Sequence, residues 1–250
     1  MLRLLIAVFI IGLVTQAFAQ KKESPLEKDT YTDKNGKTLP YRLLKPKKIE
    51  AKQKYPLVVF LHGAGERGND NEKQLIHGVG NFVENLDKHP CFLVAPQCPS
   101  GQKWADWSAK GPQTPEPTEP CRLVLELIAK LQKDLPVDSK RIYITGLSMG
   151  GFGSWDLIAR QPDLFAAAVP ICGGGDAKTA EKIAKIPIWC FHGDKDTAVK
   201  VERSREMIEA LKKAGGKPKY TEYPGVGHSS WVPAYKDPEM HDWLFSQKKE

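Results

Sequence analysis

Residues 142–151 read Ile-Tyr-Ile-Thr-Gly-Leu-Ser-Met-Gly-Gly, which places a Gly-x-Ser-x-Gly pattern between a β-branched apolar run and a helical segment. In that context the pattern predicts a sharp turn from a strand into a helix, with the serine at its tip. Gly146 and Gly150 lack side chains that would collide with neighbouring backbone in so tight a turn. Ser148 is then presented at the carboxyl end of the strand, where we expect it to act as a nucleophile.

Apolar strands and amphipathic helices alternate on both sides of this turn. The predicted strands cover residues 56–61, 91–95, 141–145, 165–171, 187–191 and 217–223, and the predicted helices cover 122–132, 151–160, 201–213 and 238–247. Continuous apolar strands separated by helices indicate a mostly parallel sheet with helices on both faces. Asn35-Gly36 lies between two strand-like segments of residues 29–44 and predicts an antiparallel hairpin at the N-terminal side.

The first residues have the pattern of a secretory signal peptide. Arg3 precedes an apolar run from Leu4 to Val14, and Ala17-Phe18-Ala19 offers small residues to a signal peptidase. The run is shorter than the roughly 20 residues that span a bilayer, although an uncleaved anchor is the alternative. We therefore expect residues 1–19 to be removed, with no stable membrane insertion afterwards, and residues 20–250 to form one secreted or periplasmic domain.

The net charge of +7 is spread along the chain in short runs. No aromatic-basic motif of a nucleic-acid-binding module is present, so we expect no nucleic-acid partner. The basic surface is typical of an ordinary soluble protein.

Five cysteines occur, at positions 91, 98, 121, 172 and 190. An exported protein meets an oxidising environment, and the odd number leaves at least one thiol unpaired. Cys98 and Cys121 flank a proline-rich loop over residues 96–120, so a disulfide closing that loop is one expectation. Cys190 lies in an apolar run and is predicted to be a buried thiol. The sequence does not determine the pairing among the five.

A serine nucleophile needs a base, and the base needs an acid. His228 follows the last predicted strand in a glycine-containing loop, whereas His241 falls inside the last helix and is expected at the surface. For the acid, Asp196 is favoured over Asp194, which is better placed to cap a turn. Asp176 is a minor alternative. The order serine, acid, histidine along the chain fits the predicted turn.

Stabilisation of an oxyanion requires two backbone donors. The amide of Met149, directly after the nucleophile, is the first candidate. The second comes from the glycine-rich loop over residues 62–68, where Ala64 is favoured and Gly65 is the next choice.

Four blocks of sequence resemble the phospholipase/carboxylesterase group, which is related to dienelactone hydrolases and feruloyl-esterase-like enzymes. The blocks are Phe60–Gly68, Gly146–Gly151, Phe191–Asp196 and Gly227-His228. The resemblance implies an α/β-hydrolase fold and hydrolysis of carboxylic esters through an acyl-enzyme, without a cofactor or a metal. It also implies Ser148 as nucleophile, Asp196 as acid and His228 as base.

The expected substrates are short-chain or aromatic carboxylic esters, acyl groups on carbohydrate among them. Only a short segment separates Ile171 from Pro187, which leaves little room for a lid. Trp104 and Trp107 in the proline-rich loop, and Trp231 after His228, are candidates for an aromatic pocket wall, with a place in the core as the alternative. Two other functions stay open: a serine peptidase related to the prolyl oligopeptidases, and a catalytically inactive hydrolase fold that only binds.

Overall fold

The computed structural model describes residues 24–106 and 113–250. The predicted signal peptide, residues 1–19, and Trp107 lie outside the described residues. The strands are β1 Glu27–Thr32, β2 Thr38–Leu44, β3 Tyr55–Leu61, β4 Phe92–Pro96, β5 Val137–Leu147, β6 Ala167–Ile171, β7 Trp189–Gly193 and β8 Lys219–Tyr223. The α-helices are α1 Val79–Glu84, α2 Glu119–Asp134, α3 Met149–Arg160, α4 Ala180–Ile183, α5 Glu202–Lys213, α6 Trp231–Lys236 and α7 Pro238–Ser246.

The strands of the described chain form one sheet in the order β1-β2-β4-β3-β5-β6-β7-β8. β1 and β2 are an antiparallel hairpin, and β2 also runs antiparallel to β4. All the other neighbours are parallel. Gly36 occupies the hairpin turn with a φ of 78°, a conformation that suits glycine. The arrangement confirms the predicted α/β-hydrolase architecture with an N-terminal hairpin at one edge.

Helices cover both faces of the sheet, and the buried strand β3 shows how its side chains divide between them. Leu57, Val59 and Leu61 pack into a core with residues of α2, α3 and α5. The alternate residues Val58 and Phe60 pack into a second core with residues of α1, α6 and α7. Successive side chains of a strand point to opposite faces, so both faces of β3 are apolar. Among the described residues, no helix is long and apolar enough to cross a membrane.

Three short helices were not predicted, α4 with its four residues among them, and one prediction about the last helix is wrong. α1 and α6 have only six residues each, too few to show a helical period, and α6 contains Pro233. His241 was expected at the surface, but α7 turns it inward, where it is 1% exposed and packs against the ring of Phe82 at 4.8 Å.

The cysteines differ from the expected disulfide. All five are buried and free, so the bridge predicted between Cys98 and Cys121 is wrong, whereas the buried thiol predicted at Cys190 is confirmed. Cys98 and Cys121 belong to the core between the sheet and α2, where a thiol packs as a small apolar side chain. Within the proline-rich loop, the Thr118 hydroxyl donates a hydrogen bond of 2.8 Å to the Trp104 carbonyl oxygen.

This arrangement predicts that a thiol-reducing agent leaves the thermal midpoint of unfolding unchanged. A disulfide closing a loop of this size would contribute about 3 kcal/mol. Its reduction would therefore lower the midpoint by roughly 6–12 °C. Calorimetry with and without reductant measures the effect, and counting reactive thiols in denaturant, without reductant, should give all five. A clear drop on reduction would contradict the free thiols of the structure.

Candidate active site

Ser148 lies alone between the end of β5 and the start of α3. Its backbone has φ 53° and ψ −115°, a strained conformation for a residue other than glycine. Neighbouring backbone holds it there: the Ser148 amide donates to the Ile171 carbonyl oxygen at 2.9 Å, and the Ser148 carbonyl accepts from the Phe152 amide at 3.0 Å. The sharp turn predicted from the sequence is therefore present, with the serine at its tip.

The two glycines of the turn are required by contacts with backbone. A Cβ atom at Gly146 would lie 2.7 Å from the Leu61 carbonyl oxygen. A Cβ atom at Gly150 would lie 2.9 Å from the His62 carbonyl oxygen and closer still to the Leu61 carbonyl. Because these neighbours are backbone atoms, they cannot rotate away as a side chain can. The turn thus presses directly on the end of β3 and the loop that follows it.

His228 lies in the loop between β8 and α6, and it reaches Ser148 across the carboxyl end of the sheet. Its Nε2 atom is 2.9 Å from the Ser148 Oγ atom, and its Nδ1 atom is 2.7 Å from Asp196 Oδ2. The side chain is 27% exposed, so the imidazole has solvent on one side. The structure brings together the three residues that the sequence singled out as nucleophile, base and acid.

Asp196 has a fully buried side chain in the loop after β7. Its Oδ1 atom accepts hydrogen bonds from the amides of Ala198 and Val199, both at 2.9 Å. Burial raises the pKa of this carboxyl, but the hydrogen bonds from His228 and from the Val199 and Ala198 amides outweigh burial and hold the pKa below its ordinary value. The group is therefore a carboxylate that can orient an imidazole.

The two alternative acids have other roles in the structure. Asp194 accepts a hydrogen bond from the Gly225 amide at 2.7 Å, in line with the expectation that it caps a turn. Asp176 caps a short 3₁₀ helix through the Lys178 amide. Of the three aspartates, Asp196 is the one within hydrogen-bond distance of His228.

Both candidate oxyanion donors lie beside Ser148 and line the same cavity. Met149 is the first residue of α3, where backbone amides have no partner inside the helix. Ala64 is exposed at the start of a 3₁₀ turn after β3. Arg67 holds this turn through a hydrogen bond of 2.8 Å from its Nε atom to the Ala64 carbonyl oxygen. Gly65, the second choice, is not among the residues that line the cavity.

The cavity has a volume of about 810 Å³ and opens to solvent beside Ser148 and His228. Apolar side chains from two elements form part of its wall: Met149, Phe152, Ala198 and Val199. Charged residues just before α5 and in its first turns also line the cavity: Lys200, Glu202, Arg203 and Glu206. The sequence analysis did not identify Lys200 or the α5 residues as part of the site. Their position directly after the loop that holds Asp196 could have indicated them.

Trp104 is fully buried, so the prediction that it faces the substrate is wrong. Its ring packs against that of His62 at 5.1 Å, and its Nε1 atom donates to the His62 carbonyl oxygen at 3.0 Å. The side chain therefore packs behind the loop over residues 62–68 and supports it. None of the described residues of the proline-rich loop, 96–106 and 113–120, lines the cavity.

Trp231 is half-buried and lies against the catalytic candidate His228, with the ring centroids 5.3 Å apart and the planes at 90°. On its other side it contacts the ring of His77 at 5.4 Å. The structure thus brings Trp231 to the site, and its contact with a substrate stays a prediction.

Cys172, Asp196 and His228 are the potential metal ligands that come together in the described part of the chain, with ligand atoms within 4.8 Å of one another. Burial strongly raises the pKa of the Cys172 thiol, which makes the thiolate that would bind a metal costly to form. Asp196 and His228 are already hydrogen-bonded to each other. These groups suit a hydrogen-bonded triad better than a metal site.

Two protein families match this chain over half of its length or more. Residues 113–240 match the dienelactone hydrolase family, and residues 35–174 match a family described as putative esterase. Together the matches include every residue of the triad and both oxyanion candidates.

Individual relatives agree with the family matches. A solved thermostable esterase superimposes with a TM-score of 0.86 and 44% identity, covering 90% of this chain and 64% of that one. Poly(3-hydroxyalkanoate) depolymerase C of Paucimonas lemoignei is 33% identical over 48% of this chain and 28% of its own length. A bifunctional acetylxylan esterase/xylanase of Neocallimastix patriciarum is 24% identical over 72% of this chain and 26% of its own. The chain thus spans about a quarter of the length of these two curated relatives.

The contacts of Gly150 predict that Gly150→Ala prevents stable folding or severely lowers the free energy of unfolding, because the new methyl group meets the carbonyls at the end of β3. Gly65→Ala is the matched control in the same site, since nothing lies within 4 Å of its Cβ position. Urea unfolding of the two variants measures the difference. Equal stabilities would show that the turn is not held against β3 as described.

Proposed function

The chain belongs to the dienelactone hydrolase family and to the putative esterase family, and we propose that it is a serine carboxylesterase that works through an acyl-enzyme. The main support is the pair of hydrogen bonds that joins Ser148 to His228 at 2.9 Å and His228 to Asp196 at 2.7 Å beside an apolar cavity. The proposed roles are nucleophile, general base and orienting acid, in that order.

The proposed reaction begins when His228 Nε2 takes the hydroxyl proton of Ser148 as the oxygen attacks the ester carbonyl. The amides of Met149 and Ala64 stabilise the negative oxygen of the tetrahedral intermediate. His228 then gives its proton to the leaving alcohol, and the acyl group stays on Ser148. A water molecule, deprotonated by the same imidazole, releases the acid and restores the serine.

We further propose short-chain or aromatic acyl groups as substrates, including acyl groups on carbohydrate. The apolar part of the wall, with Phe152 and Val199, suits an acyl group, and the name of the acetylxylan esterase relative supports acylated carbohydrate as one source. We propose that Trp231 contacts the leaving alcohol, because its ring packs on the imidazole that protonates that alcohol in the proposed reaction.

Secretion or periplasmic export is part of the proposal, on the strength of the signal-like sequence over residues 1–19. The chemistry as proposed needs neither a cofactor nor a metal. The partner of the site is a small-molecule or carbohydrate-linked ester.

We predict that Ser148→Ala lowers kcat by on the order of 10⁶ without unfolding the protein, because the covalent step needs the hydroxyl. Asp196→Asn should lower kcat by about 10⁴, since it removes the charge that orients His228. Hydrolysis of an aryl acetate and labelling by a fluorophosphonate probe measure both changes.

Asp194→Asn is the matched control for the acid, because it lies two residues away and its carboxylate accepts from the Gly225 amide. It should retain most of the activity. A larger loss in Asp194→Asn than in Asp196→Asn would refute the assignment of the acid. Failure of the probe to label folded wild-type protein would favour an inactive binding module.

Activity towards aryl esters should decrease as the acyl chain grows from acetyl to dodecanoyl, while an aromatic acyl group remains a substrate. Between β6 and β7, where a lid would lie, the structure has a short segment with α4, so little of the chain is there to cover a long acyl group. Values of kcat/KM across such a series measure the preference. A steady rise towards long chains would contradict the short-chain proposal, and efficient cleavage of a peptide library would favour a peptidase.

A further inference from the structure

A second histidine is bonded to the acid of the triad. His192 lies in β7, is fully buried, and places its Nε2 atom 3.1 Å from Asp196 Oδ2 and 2.9 Å from the Val199 carbonyl oxygen. Its Nδ1 atom is 2.7 Å from the Ser204 Oγ atom at the start of α5. The reaction as described above makes no use of this residue.

The partners of His192 determine which of its nitrogens carries hydrogen. Both groups near Nε2, the Asp196 carboxylate and the Val199 carbonyl, can only accept, so Nε2 must be the donor, and its single N–H is shared between the two oxygens. Burial lowers the pKa of His192, although the Val199 carbonyl and Asp196 partly oppose it, so the ring is neutral. Nδ1 is then an acceptor and needs a donor of its own.

Ser204 supplies that donor. Its Oγ atom is closer to His192 Nδ1, at 2.7 Å, than to the Gly173 carbonyl oxygen, at 3.1 Å. The Cys190 thiol in turn lies 3.3 Å from the same Oγ atom and can donate to it. A buried chain of donors therefore runs from Cys190 through Ser204 and His192 to Asp196.

The Asp196 carboxylate consequently accepts four hydrogen bonds. Two backbone amides occupy Oδ1, and His228 and His192 share Oδ2. Four is about the full capacity of a carboxylate. Removing one donor would leave the buried charge less well stabilised and free to move within its loop.

We propose that His192 is a positioning residue for the reaction, a neutral donor that fixes the Asp196 carboxylate in the orientation that His228 requires. The inference rests on the proposed triad. It assigns a role to a fully buried histidine that shares the Oδ2 atom of Asp196 with His228.

The neutrality of His192 is part of this role. A protonated neighbour would offset the charge of Asp196, and the carboxylate would then stabilise the His228 imidazolium less. Besides Asp196 and His228, the titratable groups that interact with His192 or its partners include Glu222 on β8 and Cys190 on β7. A neutral donor holds the carboxylate in place and leaves its charge for the catalytic imidazole.

Three substitutions separate the donor from the bulk of the ring. Glutamine places an amide near the position of Nε2, so His192→Gln can keep the bond to Asp196. Asparagine reaches only towards the position of Nδ1, so His192→Asn loses the hydrogen bond to Asp196. His192→Leu loses the hydrogen bonds to both Asp196 and Ser204. We expect kcat on an aryl acetate to fall about 10- to 100-fold in the asparagine and leucine variants, and much less in the glutamine variant. KM should change little, because His192 does not touch the substrate.

The pH profile gives a readout that a merely structural role would not move. Without the second donor, the Asp196 carboxylate can turn away from His228 and supports the imidazolium less well. The acidic limb of kcat/KM should therefore move to lower pH in the asparagine and leucine variants, and stay in place in the glutamine variant.

His241→Leu is the matched control, since His241 is equally buried but lies in α7, with its Nε2 atom bonded to the Tyr235 carbonyl oxygen. It should change stability without moving the pH profile. Thermal midpoints of all the variants show how much of any loss is unfolding. If His192→Leu does not fold, the comparison of glutamine with asparagine still decides.

The outcomes separate this inference from the proposed function. Loss of activity in Ser148→Ala, with unchanged kcat and pH profile in folded His192→Asn, would overturn the role of His192 and leave the triad standing. Full activity in Ser148→Ala would overturn the proposed function itself. A large kcat loss that glutamine restores, together with the shifted acidic limb, would support the positioning role.

Discussion

The contact between the first turn of α3 and the end of β3 constrains the rest of the site. Gly150 leaves no space for a Cβ atom against the Leu61 and His62 carbonyls, so the elbow and the loop after β3 are held at one distance. Ser148, the proposed nucleophile, belongs to one of these segments and Ala64 to the other. A single backbone contact therefore sets the separation between Ser148 and its second oxyanion candidate, independently of any flexible side chain.

Support from below keeps that geometry from relaxing. Trp104 packs under the loop over residues 62–68 and donates to the His62 carbonyl oxygen. The ring of His62 accepts a hydrogen bond of 2.9 Å from the Cys98 amide. Burial lowers the pKa of His62 to about 4, against the effect of the Gly63 carbonyl, so the ring is neutral and Nε2 can accept this bond. A loop with an exposed glycine is thus held on its inner surface by the hydrogen bonds from Trp104 and from the Cys98 amide.

Local signals in the sequence predicted the elements that depend on local chemistry. The elbow, the hairpin at Asn35-Gly36 and the apolar strands follow from turn residues and periodicity, and the structure has all of them. The meeting of Ser148, Asp196 and His228 could be expected because each follows a strand at the same edge of the sheet. The positions of Trp104 and His241 could not, because an aromatic or a histidine in an amphipathic segment can turn either way, and only tertiary packing decides. The short helix α6 was missed for a different reason, because six residues are too few to show a helical period.

The loop that holds Asp196 shows why the role of His192 could not be predicted from the sequence either. A histidine near the end of an apolar strand could be a metal ligand, a catalytic base or a core residue. The sequence pattern alone does not distinguish these roles. Once β7 places His192 beneath Asp196, the burial of a carboxylate imposes its own requirement, because a charge removed from water must be compensated by hydrogen bonds. Two amides and His228 supply three of these. The fourth has to come from a group that is buried, neutral and a donor, and a histidine whose other nitrogen accepts from a serine meets all three conditions. The hydrogen bonds that stabilise the buried Asp196 carboxylate thus continue through His192 to Ser204 in α5.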